Sequence, residues 1–244
     1  MRRISRRGFI ELSLLGVTTT ITTSLAAPFN YKLEVTKLEA GLGGRLAFLP
    51  DLHYHKRGEA HVEAALYAVL KLEPDVMVFG GDLVDEETVD FDGLDLLLRE
   101  LEAKRGIAVM GNHEYWSGYV ARAVSALKRS GFEVLFNEHA ETPLGRLFGY
   151  DWRESRVYDA VSFDGIVVSH DPHAADSVNG EALVLAGHTH GGLVLSGLTL
   201  YSNSRYTRGL FTLKGGAVLY VSRGLGQMSL TPRINARPEL LVLD

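Results

Sequence analysis

The chain of 244 residues contains no cysteine. That excludes a disulfide framework, a thiolate metal site and a cysteine nucleophile. A run of basic residues is also missing: 25 Lys and Arg stand against 30 Asp and Glu, for a net charge of −5. Such a chain lacks the electrostatic footprint of a nucleic-acid binder, and no nucleic acid is expected as a partner. Past residue 26, no apolar run reaches the ~20 residues a membrane-spanning helix needs. Internal repeats and low-complexity linkers are absent too, so one domain is expected. With 46% hydrophobic residues, the chain has the apolar content of a globular core.

What is present is unevenly distributed. Residues 1–26 carry Arg2, Arg3, Arg6 and Arg7 against Glu11, a net of +3, leaving −8 for the remainder. After Ser5-Arg6-Arg7-Gly8-Phe9-Ile10 comes an apolar stretch, Leu12 to Leu25, diluted by Gly16 and several threonines. Ser24-Leu25-Ala26 before Ala27 has the small-x-small form of a cleavage site. The run resembles a twin-arginine signal. The resemblance implies a signal peptide over 1–26, read by the twin-arginine translocase, and a domain over 27–244 that crosses the cytoplasmic membrane folded. The expected location is the periplasm, the cell wall or the medium. The alternative is an uncleaved N-terminus that anchors the domain to the membrane.

From residue 44 onward, short apolar runs alternate with amphipathic stretches. Arg45–Pro50, Val76–Gly80, Ile107–Met110, Glu133–Phe136, Gly165–Ser169 and Leu183–Ala186 have strand length and are bounded by glycine, proline or polar residues. His61–Leu72, Phe91–Ala103 and Tyr119–Lys128 place apolar residues at helical spacing. The alternation predicts an α/β fold with right-handed crossovers. In the last third, Gly192–Tyr201, Gly209–Leu213, Ala217–Val221 and Leu240–Leu243 are strand-like and glycine-linked. They predict mixed sheets, with a second sheet completed by C-terminal hairpins.

Five polar blocks each follow a strand-like run. They are Asp51-Leu52-His53, Gly81-Asp82-Leu83-Val84-Asp85, Gly111-Asn112-His113-Glu114, Ser169-His170-Asp171 and Gly187-His188-Thr189-His190. Open α/β sheets gather functional groups at the carboxyl ends of their strands. Strand alternation is expected to aim Asp51 and His53 to one side, and His188 and His190 likewise. Glycine beside three of the blocks permits close backbone approach. Carboxylate, imidazole and amide donors suit Mn²⁺, Fe²⁺ or Zn²⁺. Asp51, His53, Asp82, Asn112, His170, His188 and His190 exceed the needs of one ion and match two ions that share a carboxylate.

In this order the blocks resemble the calcineurin-like metallophosphoesterase superfamily. The Gly187–Gly192 run and the tail from Tyr220 to Leu240 are similar to its YkuE/YaeI group. The resemblance covers roughly residues 42–243. It implies a four-layer α/β/β/α sandwich with two mixed sheets. It also implies a dinuclear phosphoesterase in which a metal-bridging hydroxide attacks phosphorus in line. Asp51, His53 and His190 would hold the first ion, Asn112, His170 and His188 the second, and Asp82 would bridge them. His113 would act on the leaving oxygen rather than as a ligand, and Asp85 would accept a hydrogen bond from it. Phosphodiester, phosphomonoester and pyrophosphate substrates, lipid- or wall-linked ones included, all fit these motifs, and the oligomeric state is left open.

Singly, these residues have plainer roles: Asp82 or Asp85 as a helix cap, Asn112 in a tight turn, His170 as a buried imidazole. Their order is what separates them from those roles. His55, His61, His139 and His173 match no ligand position and are expected at the surface, with a place at the site mouth as the alternative for His55 and His173, which follow His53 and His170 closely. Glu114 is expected to be structural. Arg223 has two readings, an approach to an anionic substrate or an ordinary ion pair. Leu193 departs from the glutamine common in the group. The short segment between Glu114 and His170 predicts an uncapped site open to bulky substrates. Two rival functions remain: a UDP-2,3-diacylglucosamine pyrophosphatase-like lipid enzyme, which would need to face the cytosol, and a non-catalytic metal-binding scaffold, which the presence of His113 and Asp85 opposes.

Overall fold

A computed structural model describes residues 22–23, 32–101, 105–196, 198–228, 233 and 235–244. Thr22 and Thr23 pair antiparallel with Glu34 and Leu33 at a sheet edge. The rest of the expected export signal lies outside the described residues.

Strands buried on both faces read as continuous apolar runs, and here such runs form the middle of two stacked sheets. The first sheet has seven strands in the order Thr22–Thr23, Leu33–Leu38, Glu239–Leu243, Leu46–Leu49, Val76–Gly80, Gly106–Val109 and Phe132–Val134. The last four of these run parallel to one another. The second sheet has six, in the order Gly209–Thr212, Val218–Val221, Ala182–Ala186, Gly165–Ser169, Gly145–Gly149 and Glu138–Thr142. Both are mixed, because antiparallel hairpins flank the parallel centre of the second and Glu239–Leu243 runs antiparallel to Leu46–Leu49 in the first.

Three apolar layers hold the sheets. Helices Glu59–Leu70, Phe91–Arg99 and Val120–Arg129 place Val62, Leu66, Leu94, Leu98 and Leu127 against one face of the first sheet. Phe48, Val78 and Val109 of the first sheet meet Leu147, Val168 and Leu185 of the second between the sheets. On the outer face of the second sheet, Val167, Val184 and Leu219 are covered by Ala174 and Ala175 of a 3-10 helix, Pro172–Ser177, and by Tyr150, Tyr158 and Phe163. The fourth layer is thus mostly aromatic loop.

The predicted strands and helices recur with ends moved by at most four residues, except that Gly192–Tyr201 is split into two short strands, Leu193–Leu195 and Leu198–Tyr201. The sequence did not mark Leu33–Leu38, nor the hairpin Glu138–Thr142/Gly145–Gly149, whose outer strand is mostly exposed and carries no apolar run. The final strand is placed by its partners. It enters the first sheet between Leu33–Leu38 and Leu46–Leu49, while the hairpin Gly209–Val221 completes the second sheet as expected.

Glu239 fastens the two sheets together. Its buried carboxylate accepts from Thr36 Oγ1 at 2.5 Å in the first sheet and from Tyr220 Oη at 2.7 Å in the second. Arg223 adds its backbone N–H at 3.0 Å and Nη2 at 3.1 Å, and its Nη1 reaches Glu34 at 2.8 Å. Burial raises the Glu239 carboxyl, but Arg223, Thr36 and Tyr220 together bring it below its usual value. A carboxyl depressed in the folded state stabilises fully above its unfolded value of about 4.3, and that contribution is lost as pH falls further. Glu239→Ala is therefore expected to cost about 1–3 kcal/mol in urea unfolding at neutral pH, since it leaves the buried Thr36 and Tyr220 hydroxyls without their acceptor while Arg223 keeps Glu34. The variant's stability should also fall less steeply than the parent's below that pH.

Candidate metal centre

Beyond the strand ends, backbone bonds lace neighbouring loops of the first sheet together and tie them to one loop of the second. Asp51 N–H donates to Gly81 O, His53 N–H to Asp82 O and Gly226 N–H to Asp51 O, at 2.7–2.9 Å. The polar blocks therefore meet at one edge of the sandwich, at the carboxyl ends of parallel strands from both sheets.

Their side chains do not converge by strand alternation. Asp51, His53, Asp82, His188 and His190 have φ of 54°, 45°, 52°, 71° and 48°. These are left-handed conformations, sparsely populated by non-glycine residues and costing about 1–3 kcal/mol each. Ten non-glycine residues have positive φ among those described, and half of them are predicted ligands. The expected extended geometry at Asp51-x-His53 and His188-x-His190 is thus corrected to tight left-handed turns, which fold each pair back over the strand ends. The neighbouring glycines follow from this crowding. A Cβ on Gly187 would stand 2.5 Å from Asp51 Oδ2, and one on Gly81 2.7 Å from His170 Nδ1.

All seven predicted ligand residues come together. His53 Nε2 and His190 Nε2 face each other at 3.0 Å, and His190 Nε2 is 3.7 Å from Asp51 Oδ1. Next to this cluster, His170 Nε2 is 3.0 Å from Asn112 Oδ1, 3.0 Å from Asp82 Oδ2 and 3.2 Å from His188 Nδ1. Asp82 Oδ2 is also 3.7 Å from His53 Nε2, so one carboxylate touches both clusters. Asp51 Oδ2 is buried with no hydrogen-bond partner among the described residues. An orphaned carboxylate oxygen beside ring nitrogens that point at one another is costly for a protein interior and is relieved by cations. The donor set is oxygen and nitrogen only, which fits a borderline divalent ion.

The electrostatics are correspondingly divided. Burial would lower the His170 imidazole, but the charge and hydrogen bond of Asp82, with Asp51, push it up to about 10. Asp82 in turn is raised by burial and brought well below the carboxylate range by His170 and His53. Burial and the charge of His170 bring His188 down to about 3, and burial with Arg233 lowers His190. Asp51 is raised, first by burial and also by Asp82.

Asp85 does not pair with His113, as the resemblance implied. Its Oδ2 lies 3.2 Å from Nδ1 of His53, while Oδ1 accepts from Glu87 N–H at 2.9 Å. The turn through Glu87 and Thr88 aims the carboxylate inward, behind a predicted ligand. His113 Nδ1 instead meets Glu86 Oε2 at 2.8 Å. His113 packs edge-on against His53 at 5.0 Å, and its backbone N–H donates to Asp82 Oδ1 at 2.9 Å. One ring nitrogen of His113 also lies within 4.8 Å of donor atoms of His53 and Asp82, at ligand range. Glu114 is structural, as expected. It is buried and accepts from Asp82, Val84 and Gly111 N–H at 3.0, 3.0 and 2.7 Å, tying two of the blocks together.

A family model described as calcineurin-like phosphoesterase matches residues 44–192, a span that contains all seven donors. The chain belongs to the calcineurin-like phosphoesterase family. It is 29% identical over 250 residues to an uncharacterized metallophosphoesterase of Aquifex aeolicus, covering 94% of this chain and 95% of that one. It is 28% identical over 208 residues to the uncharacterized metallophosphoesterase YkuE of Bacillus subtilis, covering 74% and 71%. A Danio rerio transmembrane protein with a metallophosphoesterase domain is 28% identical over 242 residues, and the match spans 55% of its length. Among solved structures, a dimetal phosphatase from Danio rerio aligns over 75% of this chain and 88% of its own, at 16% identity and a TM-score of 0.47. By its family the chain is a phosphoester hydrolase, and that family implies divalent metal ions.

Around this calcineurin-like site, the sequence offers Trp152 only by its place beside Asp151, and most of the other residues leave no pattern in it. Trp116 stands 54% exposed beside His113, with ring centroids 5.2 Å apart, and meets Trp152 edge-on at 6.4 Å. Trp152 packs on His188 at 5.2 Å, and both indole N–H groups donate to Glu154. Arg233 reaches His190 Nδ1 at 3.1 Å. Arg156 forks onto Asp171 at 2.8 and 2.5 Å. Arg223 takes the second of its two readings, an ion pair with Glu34 and Glu239. His55 and His61, expected at the surface, are buried pins: their Nε2–H groups donate to Gln227 O at 2.8 Å and Leu225 O at 2.7 Å, holding the C-terminal loop. Isolated side chains from separate loops leave no spacing that a sequence can show.

The position of Asp85 has a measurable consequence. As the partner behind His53, it fixes that ring's orientation, so Asp85→Asn is expected to weaken metal binding about 10–100-fold in a metal titration. An unchanged metal affinity with a lower turnover would return Asp85 to the His113 role.

Proposed function

We propose that the chain hydrolyses a phosphoester by in-line displacement at two divalent ions of the Mn, Fe or Zn type. Asp51, His53 and His190 would hold one ion, Asn112, His170 and His188 the other, and Asp82 both. The observation that carries this reading is the double cluster of donors, all but His190 buried, that shares one carboxylate, with Asp51 Oδ2 lacking a hydrogen-bond partner among the described residues. When bound, two such ions activate the nucleophile and neutralise charge on the phosphoryl oxygens.

The chain's own residues supply the rest. Glu114 and the left-handed turns hold the donors in place before substrate arrives, so little reorganisation remains for the reaction itself. With Nδ1 of His113 held on Glu86, Nε2 is the nitrogen that faces the substrate. It donates to the leaving oxygen or stabilises the transition-state charge. Trp116 and Trp152 wall one side of the approach, Trp116 beside His113 and Trp152 against the His170 and His188 rings. The substrate class is a phosphodiester, phosphomonoester or pyrophosphate, with lipid- and wall-linked esters among the candidates.

His113→Ala should lower turnover of an aryl phosphodiester about 10²–10⁴-fold while bound metal stays constant, checked by steady-state kinetics alongside elemental analysis. A wild-type rate in that variant would remove His113 from the chemistry. Chelation should abolish hydrolysis in the parent protein, and Mn²⁺ should restore it; hydrolysis that survives chelation would sink the two-ion reading.

We further propose export of the folded domain, supported by the Ser5–Ile10 run. N-terminal sequencing of fractionated cells tests it. A mature protein beginning near Ala27 outside the membrane is expected, whereas an intact N-terminus facing the cytosol would favour the lipid pyrophosphatase reading.

A further inference from the structure

Directly after His190, Gly191 and Gly192 turn the chain, with φ of 76° and 56°, into a hairpin of Leu193–Leu195 and Leu198–Tyr201. Among the described residues the hairpin is a two-stranded sheet of its own and pairs with neither large sheet. A lone hairpin in water is marginal, and this one is also unusually apolar. Leu195, Leu198, Leu200 and Tyr201 are 43%, 64%, 52% and 70% exposed. Scattered apolar residues at a surface need no explanation, but a contiguous set on one projecting element does.

The charge around it says what covers it. All thirty carboxylates of the chain lie outside residues 182–238, whereas Arg205, Arg208, Lys214, Arg223, Arg233 and Arg237 lie inside. Arg223 is committed to Glu34 and Glu239, and Arg205 pairs with Asp176. Arg208 donates to Asn235 O at 2.7 Å, beside the hairpin, since Asn235 Nδ2 approaches Val194 O at 3.5 Å. Arg237, two residues on, is exposed, as is Lys214. An apolar tip within a stretch that has cations and no carboxylates matches an anionic bilayer surface, where acyl chains take the leucines and headgroups take the arginines. Tyr201 has the amphipathic ring favoured at that boundary.

We propose that the Leu193–Tyr201 hairpin docks the protein on an anionic lipid surface. This seats the opening of the metal centre beside the headgroups, because only two glycines separate His190 from the hairpin. The inference rests on the hairpin and its charge environment and stands apart from the hydrolytic chemistry.

The test is co-sedimentation of the full chain with vesicles of phosphatidylglycerol and phosphatidylcholine. The parent protein should pellet, and phosphatidylcholine alone or high salt should bind it less. Leu198→Asp with Leu200→Asp should reduce the bound fraction at least about tenfold, with hydrolysis of a soluble aryl phosphodiester unchanged. Arg237→Glu should weaken binding to the anionic vesicles severalfold. In Leu198→Trp, brominated lipid should quench the added indole whatever the fate of the aspartate pair. Failure of the parent to pellet, equal pelleting of the double variant, or no quenching would overturn the proposal. So would a double variant that changes only self-association, which would identify a second copy of the chain as the occupant.

Discussion

Two carboxylates and four imidazoles, all but His190 buried, crowd together with donor atoms 3.0–3.7 Å apart, and much of the structure answers to that. Asp51 and Asp82 repel, and Asp51 Oδ2 finds no protein partner. In a dry interior such a cluster is unfavourable by itself, and cations are what make it sustainable. The surrounding architecture keeps the donors from relaxing apart. Left-handed turns fix Asp51, His53, Asp82, His188 and His190, and glycines make room for them. Glu114 ties the Asp82 turn to the Asn112 turn.

That rigidity comes from the sandwich beneath. Parallel strands from both sheets end at the same edge, so each loop contributes one or two donors and none has to travel far. The Glu239 network spans both sheets near this edge, and Arg223 within it leads directly to Gly224, which packs against Asp51. His55 and His61 pin the returning C-terminal loop. The acidic character of the chain as a whole is compatible with an anionic substrate, since the ligand carboxylates belong to that charge and divalent cations invert its sign locally.

Much of this fold is legible along the chain because it is periodic. Val76–Gly80 and Gly165–Ser169 are unbroken apolar runs, and a strand buried on both faces leaves that mark. The hairpin Glu138–Gly149 leaves little, because its outer strand is an exposed edge with no apolar pattern to read. The same contrast holds at the site. Asp51, His53, Asp82, Asn112, His170, His188 and His190 stand out because short motifs repeat after strands. Trp116, Trp152, Glu86 and Arg233 are single residues whose roles exist only once separate loops have met.

The amino-acid sequence determined the donor types, their order after successive strands, the absence of thiolate chemistry and the family. Tertiary structure decided what depends on direction rather than identity. It turned Asp85 toward His53 and Glu86 toward His113, because the 85–88 turn orients two adjacent carboxylates oppositely. It placed the final strand inside the first sheet, since only there do Leu241 and Leu243 meet Phe48 and Leu46. It also left the Leu193–Tyr201 hairpin outside both sheets, where apolar residues that would otherwise count as core face outward. Composition and spacing fix which groups are available, but the direction a side chain takes is set by backbone angles and neighbours that assemble only in the folded chain.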